Sequence, residues 1–323
     1  IGALLVVVGG YFSSRQMDID VFPDLTAPTV VLMTDTQGMT AEETERLVTF
    51  PIETAVNGAT DVRRVRSTSL NGYSFVWVEF NWGTDIYRAR QTVNEKMVAM
   101  GDELPEGITP VMAPQSSIMG EILFVSMQAG DTTGMMELRT LADWVVKPAV
   151  LATGGVAQVT VIGGDVKEYQ VLADAARMQA YGVTMDELAA AVEGMSQNST
   201  GGVVREYGNE YALRGMGRTS DLADMASTLV KNTGSQPVTV GDVAQVRIGS
   251  AVRMGMASRN GQPAVILSIS KQPSINTLDV TEQIERNLQD IQKSLPADVH
   301  LDTHVFRQAD FISTSVHNVG RAL

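Results

Sequence analysis

A proline-marked helix frame occurs twice in this chain, and that repetition limits the possible architectures more than any other feature. Arg46-Leu47-Val48-Thr49-Phe50-Pro51 is followed by Asn57-Gly58 and Val62. About 97 residues later, Ala142-Asp143-Trp144-Val145-Val146-Lys147-Pro148 is followed by Gly154-Gly155 and Val159. Self-similarity of this kind marks a repeated structural unit. A second helix is doubled as well: Val93, Met97, Met100 and Leu104-Pro105 match Ile284, Leu288, Ile291 and Leu295-Pro296. The common spacing i, i+4, i+7, i+11 is one face of a helix. The two helices are close in sequence in the first copy and far apart in the second. The chain is therefore expected to be a duplicated unit whose later copy carries an inserted domain.

Strand patterns fill the spaces between the doubled helices. Thr29 to Asp35 is β-branched and apolar. Thr40 and Glu43 form a capping box for the helix that follows, which Pro51 should kink. Val62 to Ser69 and Tyr73 to Asn81 flank Asn71-Gly72, a hairpin signal. In the second of these strands Phe75, Trp77 and Glu79 alternate with Val76, Val78 and Phe80. A helix from Asp85 to Glu103 and a strand from Ile108 to Met112 complete a βαββαβ order, the ferredoxin-like split. Copy two repeats it with strands at Ile122 to Gln128 and Val156 to Ile162, and a kinked helix from Met135 to Thr153. The insert follows from about Asp165. Strands at Ala251 to Arg259 and Ala264 to Lys271, a helix at Leu278 to Ser294 and a strand at Val299 to Val305 close the unit. A hairpin tip is where such an insertion disturbs little buried backbone.

Within the insert, Glu168 to Asp174 reads as a strand, and Thr184 with Glu187 caps an Ala-rich helix ending near Glu193. Leu222 to Met225 reads as a short helix, with strands at Leu229 to Asn232 and Val238 to Val240. Gly201-Gly202 leads to a strand pair around Val203 to Glu206 and Glu210 to Arg214, and the polar, glycine-marked stretch Thr200 to Gly208 reads equally as a tight hairpin or an extended arm.

Composition excludes several functions. Of 323 residues, 24 are basic and 37 acidic, a net charge of −13. No basic stripe is present to neutralise phosphates, so nucleic acid is not an expected partner. There is no cysteine, which removes disulfides, zinc–thiolate sites, iron–sulfur clusters and thiol nucleophiles. The chain begins with Ile1 and stays apolar to Phe12. That stretch is shorter than the roughly 20 residues a spanning helix needs; it reads as the end of a membrane helix, with a buried core strand as the alternative. Phe311, Ile312, Ser315, Val316, Val319 and Leu323 read as the start of another.

Few residues suggest chemistry. His300 and His304 share a strand face, with Asp302 expected to point the other way; they read as solvated side chains rather than a metal site. No nucleophile–base pair or phosphate loop occurs, so no enzyme and no cofactor is expected. Methionine is the skewed residue, at 17. Thioethers fill irregular cores and also bind soft cations such as Cu(I). Both readings stand for Met254 and Met256, expected on one face of a strand. Glu121 is either an ordinary edge carboxylate or a residue lining a cleft between the copies.

Several motifs together resemble one family. Val21-Phe22-Pro23-Asp24-Leu25 follows the apolar start. Glu45-x-Leu47-Val48-Thr49-x-Pro51-Ile52-Glu53 and Gly83-Thr84-Asp85-Ile86-Tyr87-x-Ala89-Arg90 come next. Gly163-Gly164-x-Val166-Lys167-Glu168-Tyr169-Gln170-Val171 and Val240-x-Asp242-Val243-Ala244-Gln245-Val246-x-Ile248-Gly249 close the series. In this order they resemble resistance-nodulation-division (RND) efflux transporters, the heavy-metal branch in particular, over the whole chain.

The resemblance implies an α+β chain with two ferredoxin-like βαββαβ porter subdomains, at 15–118 and at 119–164 with 251–308. The second is interrupted by an α+β docking subdomain at 165–250. Ends of membrane helices would lie at 1–14 and 309–323. It implies the periplasmic part of a bacterial inner-membrane exporter, a homotrimer working with a membrane fusion (adaptor) protein and an outer-membrane channel. A cleft between subdomains would open and close in a cycle driven by protons. By strand position, Met254 and Ile162 match places lining the pocket of drug-exporting relatives; together with Glu121 and Met256 they are the residues expected to line the cleft. No metal ligand carries over. The expected substrate is a metal cation; export of amphipathic molecules, or a partner-binding module without transport, are the alternatives.

Overall fold

The computed structural model describes residues 2, 27–114, 120–195, 199–207, 209–215, 219–232, 237–253, 255–273 and 275–322. The expected end of a membrane helix, Gly2 apart, and the Val21-Phe22-Pro23-Asp24-Leu25 motif lie outside them. The chain divides into two compact units, Ile1–Gly164 with Met256–Leu323, and Asp165–Gly255. It is a mixed α+β chain with antiparallel sheets.

In the larger unit, strand β1 (Thr29–Asp35) leads into helix α1. Helix α1 opens at Ala41–Thr44, where Thr40 and Glu43 form the expected capping box. Pro51 has no amide hydrogen, and its ring crowds the carbonyl of Leu47 one turn back. The helix adapts with a π-helical turn over Glu45–Thr49, in which the amide of Phe50 donates to Glu45 O, and then continues over Phe50–Asn57. A π turn takes one extra residue per bond and so makes room for the ring. Strands β2 (Val62–Leu70) and β3 (Tyr73–Phe80) form the expected hairpin. Gly72 there has φ +82°, a conformation that glycine adopts without strain. Asp85 caps helix α2 (Ile86–Met100), and β4 (Val111–Met112) closes the sheet in the order β2-β3-β1-β4. Val76, Val78 and Phe80 face the helices and are buried with Leu32, Val48, Ile52 and Val93 in one core.

The second lobe repeats this plan. Strand β5 (Glu121–Ala129) is followed by α3, built of Met135–Leu141, a second π turn at Ala142–Val146, and Lys147–Leu151. Here Lys147 donates to Ala142 O, ahead of Pro148. The duplicated proline frame thus codes for a duplicated π turn. Strand β6 (Val156–Ile162) ends at Gly163.

The smaller unit then begins. Strand β7 (Lys167–Ala173) is followed by helices α4 (Ala175–Tyr181) and α5 (Met185–Met195). Thr184 and Glu187 exchange the hydrogen bonds of a capping box. Strands β8 (Ser199–Glu206) and β9 (Asn209–Gly215) form a hairpin, the expected strand pair. Helix α6 (Leu222–Ala226), strands β10 (Leu229–Asn232) and β11 (Pro237–Thr239), helix α7 (Val240–Val243) and strand β12 (Ala244–Ser250) complete it. Strand β12 pairs with β7 over its whole length. Met178, Leu188, Val238, Val240 and Val243 form a separate core.

The chain returns to the second lobe through β13 (Ala257–Arg259) and β14 (Gln262–Lys271), then α8 (Thr277–Gln292), β15 (Val299–Arg307) and α9 (Gln308–Ala322). Strand β14 lies between β5 and β6, and β15 lies outside β5. The second lobe therefore repeats the strand order of the first, with β6 and β13 together in the place of β2. The expected strand from Ala251 to Arg259 is shortened to its last three residues. Positions Ile266 to Lys271 of β14 are already paired with β6, so β13 can claim only Gln262 to Ala264. The insertion thus breaks a strand below the hairpin rather than replacing its tip. Ile284, Leu288 and Leu295 are buried with Val265, Leu267 and Ile269, as their helical spacing predicts. Among the described residues no helix is long and apolar enough to cross a membrane.

Candidate functional site

Strand alternation divides the second sheet into two faces. Val265, Leu267 and Ile269 point to the helices and the core. Ile266 and Ser268 therefore lie on the opposite face. Their register partners Ser126, Phe124, Ile162 and Thr160 lie there too, so this face carries Ile162, and Glu121 reaches it through Ser268.

Glu121 begins β5, and its Oε1 accepts from the Ser268 hydroxyl at 2.9 Å. Ile162 ends β6 opposite Ile266 and is 41% exposed. The positions they pair with, Ser270 and Ile266, are four residues apart on β14. At about 3.3 Å per residue that is about 13 Å. The Glu121 carboxylate nevertheless reaches Ser268, two positions from Ile266, so both side chains lie along the same face. Met256 lies just before β13, outside any strand, and is 80% exposed. It fills no core among the described residues, and it is not on the strand expected to carry it. Met254 lies outside the described residues.

The structure adds neighbours that the sequence did not single out. Phe124 and Phe306 pair across β5 and β15 with ring centres 5.1 Å apart, and Phe311 on α9 follows at 6.1 Å from Phe306. Ser126 is fully buried on this face, and its hydroxyl has no hydrogen-bond partner among the described residues. Only the register brings together Phe124 and Phe306, which are 182 positions apart in the chain.

The expectation for Asp302 is corrected. On a strand, residues two apart share a face, so Asp302 belongs with His300 and His304. His304 Nδ1 lies 3.4 Å from the Asp302 carboxylate. Asp302 also receives Arg259 Nη2 at 2.7 Å. The backbone amide of His304, foremost, holds the Asp302 carboxyl below its ordinary range, with Arg259 adding to the effect. The carboxylate is thus committed to an arginine. Among the described residues no three His, Asp or Glu side chains form a metal-holding group.

Among the described residues the first lobe also has one sheet face without helices. Tyr73, Phe75 and Trp77 form a ladder on β3, with centres 6.4 and 6.0 Å apart. Next along it, Glu79 is buried between Arg64 at 2.8 Å and Arg66 at 2.5 Å. The Arg64 hydrogen bonds are the main reason its carboxyl titrates below the ordinary range.

These two antiparallel sheets, one of four strands and one of five, each with its own helix pair, are similar over nearly the full chain to one group of proteins. Residues 1–323 match the AcrB/AcrD/AcrF family. The chain belongs to that family. It is a family of RND transporters rather than enzymes. The cation efflux system protein CzcA of Alcaligenes sp. (strain CT14) is 31% identical over 99% of this chain and 31% of its own length. The nickel-cobalt-cadmium resistance protein NccA of Alcaligenes xylosoxydans xylosoxydans is 33% identical over 92% of this chain and 31% of its own. The cation efflux system protein CusA of Escherichia coli (strain K12) is 30% identical over 100% of this chain and 31% of its own. A crystal structure of a heavy metal efflux pump superposes with a TM-score of 0.86 and 25% identity, over 99% of this chain and 32% of that one. The chain thus spans about a third of the length of these AcrB/AcrD/AcrF-family relatives.

Proposed function

We propose that this chain is the periplasmic segment between the first two membrane helices of a proton-driven RND exporter of metal cations. Residues 15–118 and 119–164 with 251–308 act as ferredoxin-like porter subdomains, and 165–250 as half of a docking subdomain. The observation that carries this reading is the likeness, over nearly the whole chain, to a heavy metal efflux pump at a TM-score of 0.86. The identity to cation resistance proteins supports it. Each lobe has its own core, which suits two bodies that move against each other. The partners would be two further copies, a membrane fusion protein and an outer-membrane channel. Glu121, Ile162, Met254 and Met256 line the cleft, which brings substrate past a carboxylate and thioethers.

The test is growth of an exporter-deficient bacterium carrying the full-length transporter, on zinc, cobalt, cadmium, nickel, copper and silver salts and on a cationic dye. Raised tolerance to one or more metals, reduced by Ile162→Trp at unchanged protein level, supports the proposal. Tolerance to the dye alone would replace it with drug export.

A further inference from the structure

The point where the chain leaves the second sheet is held from the side by an arginine that the duplicated first lobe lacks. Arg139 on α3 donates Nε to Asp143 Oδ2 at 2.7 Å and Nη1 to the carbonyl of Gly163 at 2.5 Å. Arg139 and Asp143 are only 17% and 25% exposed. Asp143 lies inside the π turn Ala142–Val146. Gly163 is the first residue after β6, before the chain departs into the smaller unit.

The two glycines at this exit are packed, not loose. Gly163 and Gly164 have φ of +84° and +72°. A Cβ on Gly163 would sit 2.7 Å from Ala264 O and 2.8 Å from Ala257 Cβ, and one on Gly164 would sit 2.8 Å from Arg139 Cβ. Glycine is needed here for close approach as well as for the backbone angle. A half-buried guanidinium persists only when its donors are matched, and its planar fork suits two acceptors at once.

The first lobe supplies an internal control. By the proline frame, Glu42 and Arg46 stand where Arg139 and Asp143 stand, with the charges exchanged, and both are exposed. The strand there runs unbroken to its hairpin. The arginine link therefore occurs in the lobe whose strand is interrupted.

We propose that Arg139 is a positioning residue that couples the π turn before Pro148 to the end of β6 at Gly163. A change in the π turn moves Asp143, and Arg139 passes that change to the end of β6.

Hydrogen exchange read by mass spectrometry on the purified chain tests this, following peptides across 156–166 and 257–264. Arg139→Met should speed exchange at the Gly163 end of these peptides about tenfold while β5 stays protected, the pattern of a local opening. Asp143→Ala should give a similar rise although Asp143 does not touch the strand, and the double variant should exceed neither single one. Arg139→Lys should restore protection in part. Two outcomes would overturn the proposal: Asp143→Ala leaving the exit as protected as the wild type, or Arg139→Met loosening β5 and β14 equally.

Discussion

Before Pro51, Thr49 shares hydrogen bonds with the hydroxyls of Ser69 at 2.8 Å and Ser74 at 2.7 Å. At the matching place before Pro148, Val146 is fully buried against an apolar core. Both π turns are tied to their sheets, one by hydroxyls and the other by methyl groups, with Arg139 added alongside. A second pair of positions differs in the same way. After Leu104-Pro105, Gly107 O accepts from the neutral Gln37 side chain at 3.3 Å. After Leu295-Pro296, Asp298 takes the same place and accepts from Thr132 and Thr133. The lobes share strand order and helix faces because those follow from periodicity. They differ in their fasteners because any chemistry that matches locally will serve.

The largest expected contrast lies at the glycines. Gly163→Ala should destabilise the chain by about 3–5 kcal/mol, since overpacking and a positive φ add. Gly72→Ala, whose Cβ would meet nothing nearer than 3.7 Å, should cost about 1 kcal/mol. Urea unfolding of both variants checks this, and equal losses would break the comparison. Exchanging the two fasteners comes next. Val146→Thr would bury a hydroxyl in an apolar core at a cost of about 2 kcal/mol. Thr49→Val removes one member of a hydroxyl cluster and should cost about 1–2 kcal/mol. A gain in stability from Val146→Thr would show that the second π turn is not apolar in practice.

Helix starts give a smaller effect. Thr40→Ala removes a capping box and should cost about 1 kcal/mol. The second lobe begins its helix at Gly134 without a side-chain cap, so Gly134→Ser should add only a few tenths of a kcal/mol. Thermal unfolding of both variants tests the pair, and an equal effect at the two starts would remove the asymmetry. The smallest change is confined to one loop. Asp298 is held at about 2, below the ordinary 3.8, chiefly by the Thr132 hydroxyl and further by Thr133. A lowered carboxylate pKa means that its contribution is present above about pH 4 and is lost as pH falls toward 2. The amide resonance of Thr133 should therefore shift with a midpoint near 2, while that of Gly107 shows no such transition. A midpoint near 3.8 at Thr133 would show that the loop bonds do not form in solution.

Much of the fold is legible from short-range pattern. The alternation of Val76, Val78 and Phe80, the i, i+4, i+7, i+11 faces, the Asn71-Gly72 turn and both Thr/Glu capping boxes all stand in the structure. Helix α4 and strand β12 are absent from that reading. Ala175–Tyr181 has one buried residue, Met178, too little for a periodic signal, and β12 exists as a partner of the distant β7. Of the candidate site, Ile162 falls on a strand as expected and Glu121 begins one a residue earlier than expected, but their places along β14 and the company of Phe124 and Phe306 come only from register.

Local order in the chain was enough to specify two similar lobes, their helix faces and their turns, because those depend on neighbours a few residues away. Pairing across the sheets settled the rest. It decided where the inserted unit breaks a strand, why Met256 lies outside one, and which groups Asp302 and Arg139 meet. Strand β14 has a limited number of hydrogen-bonding positions along its edge. Which distant segment takes each of them leaves no mark on the residues nearby.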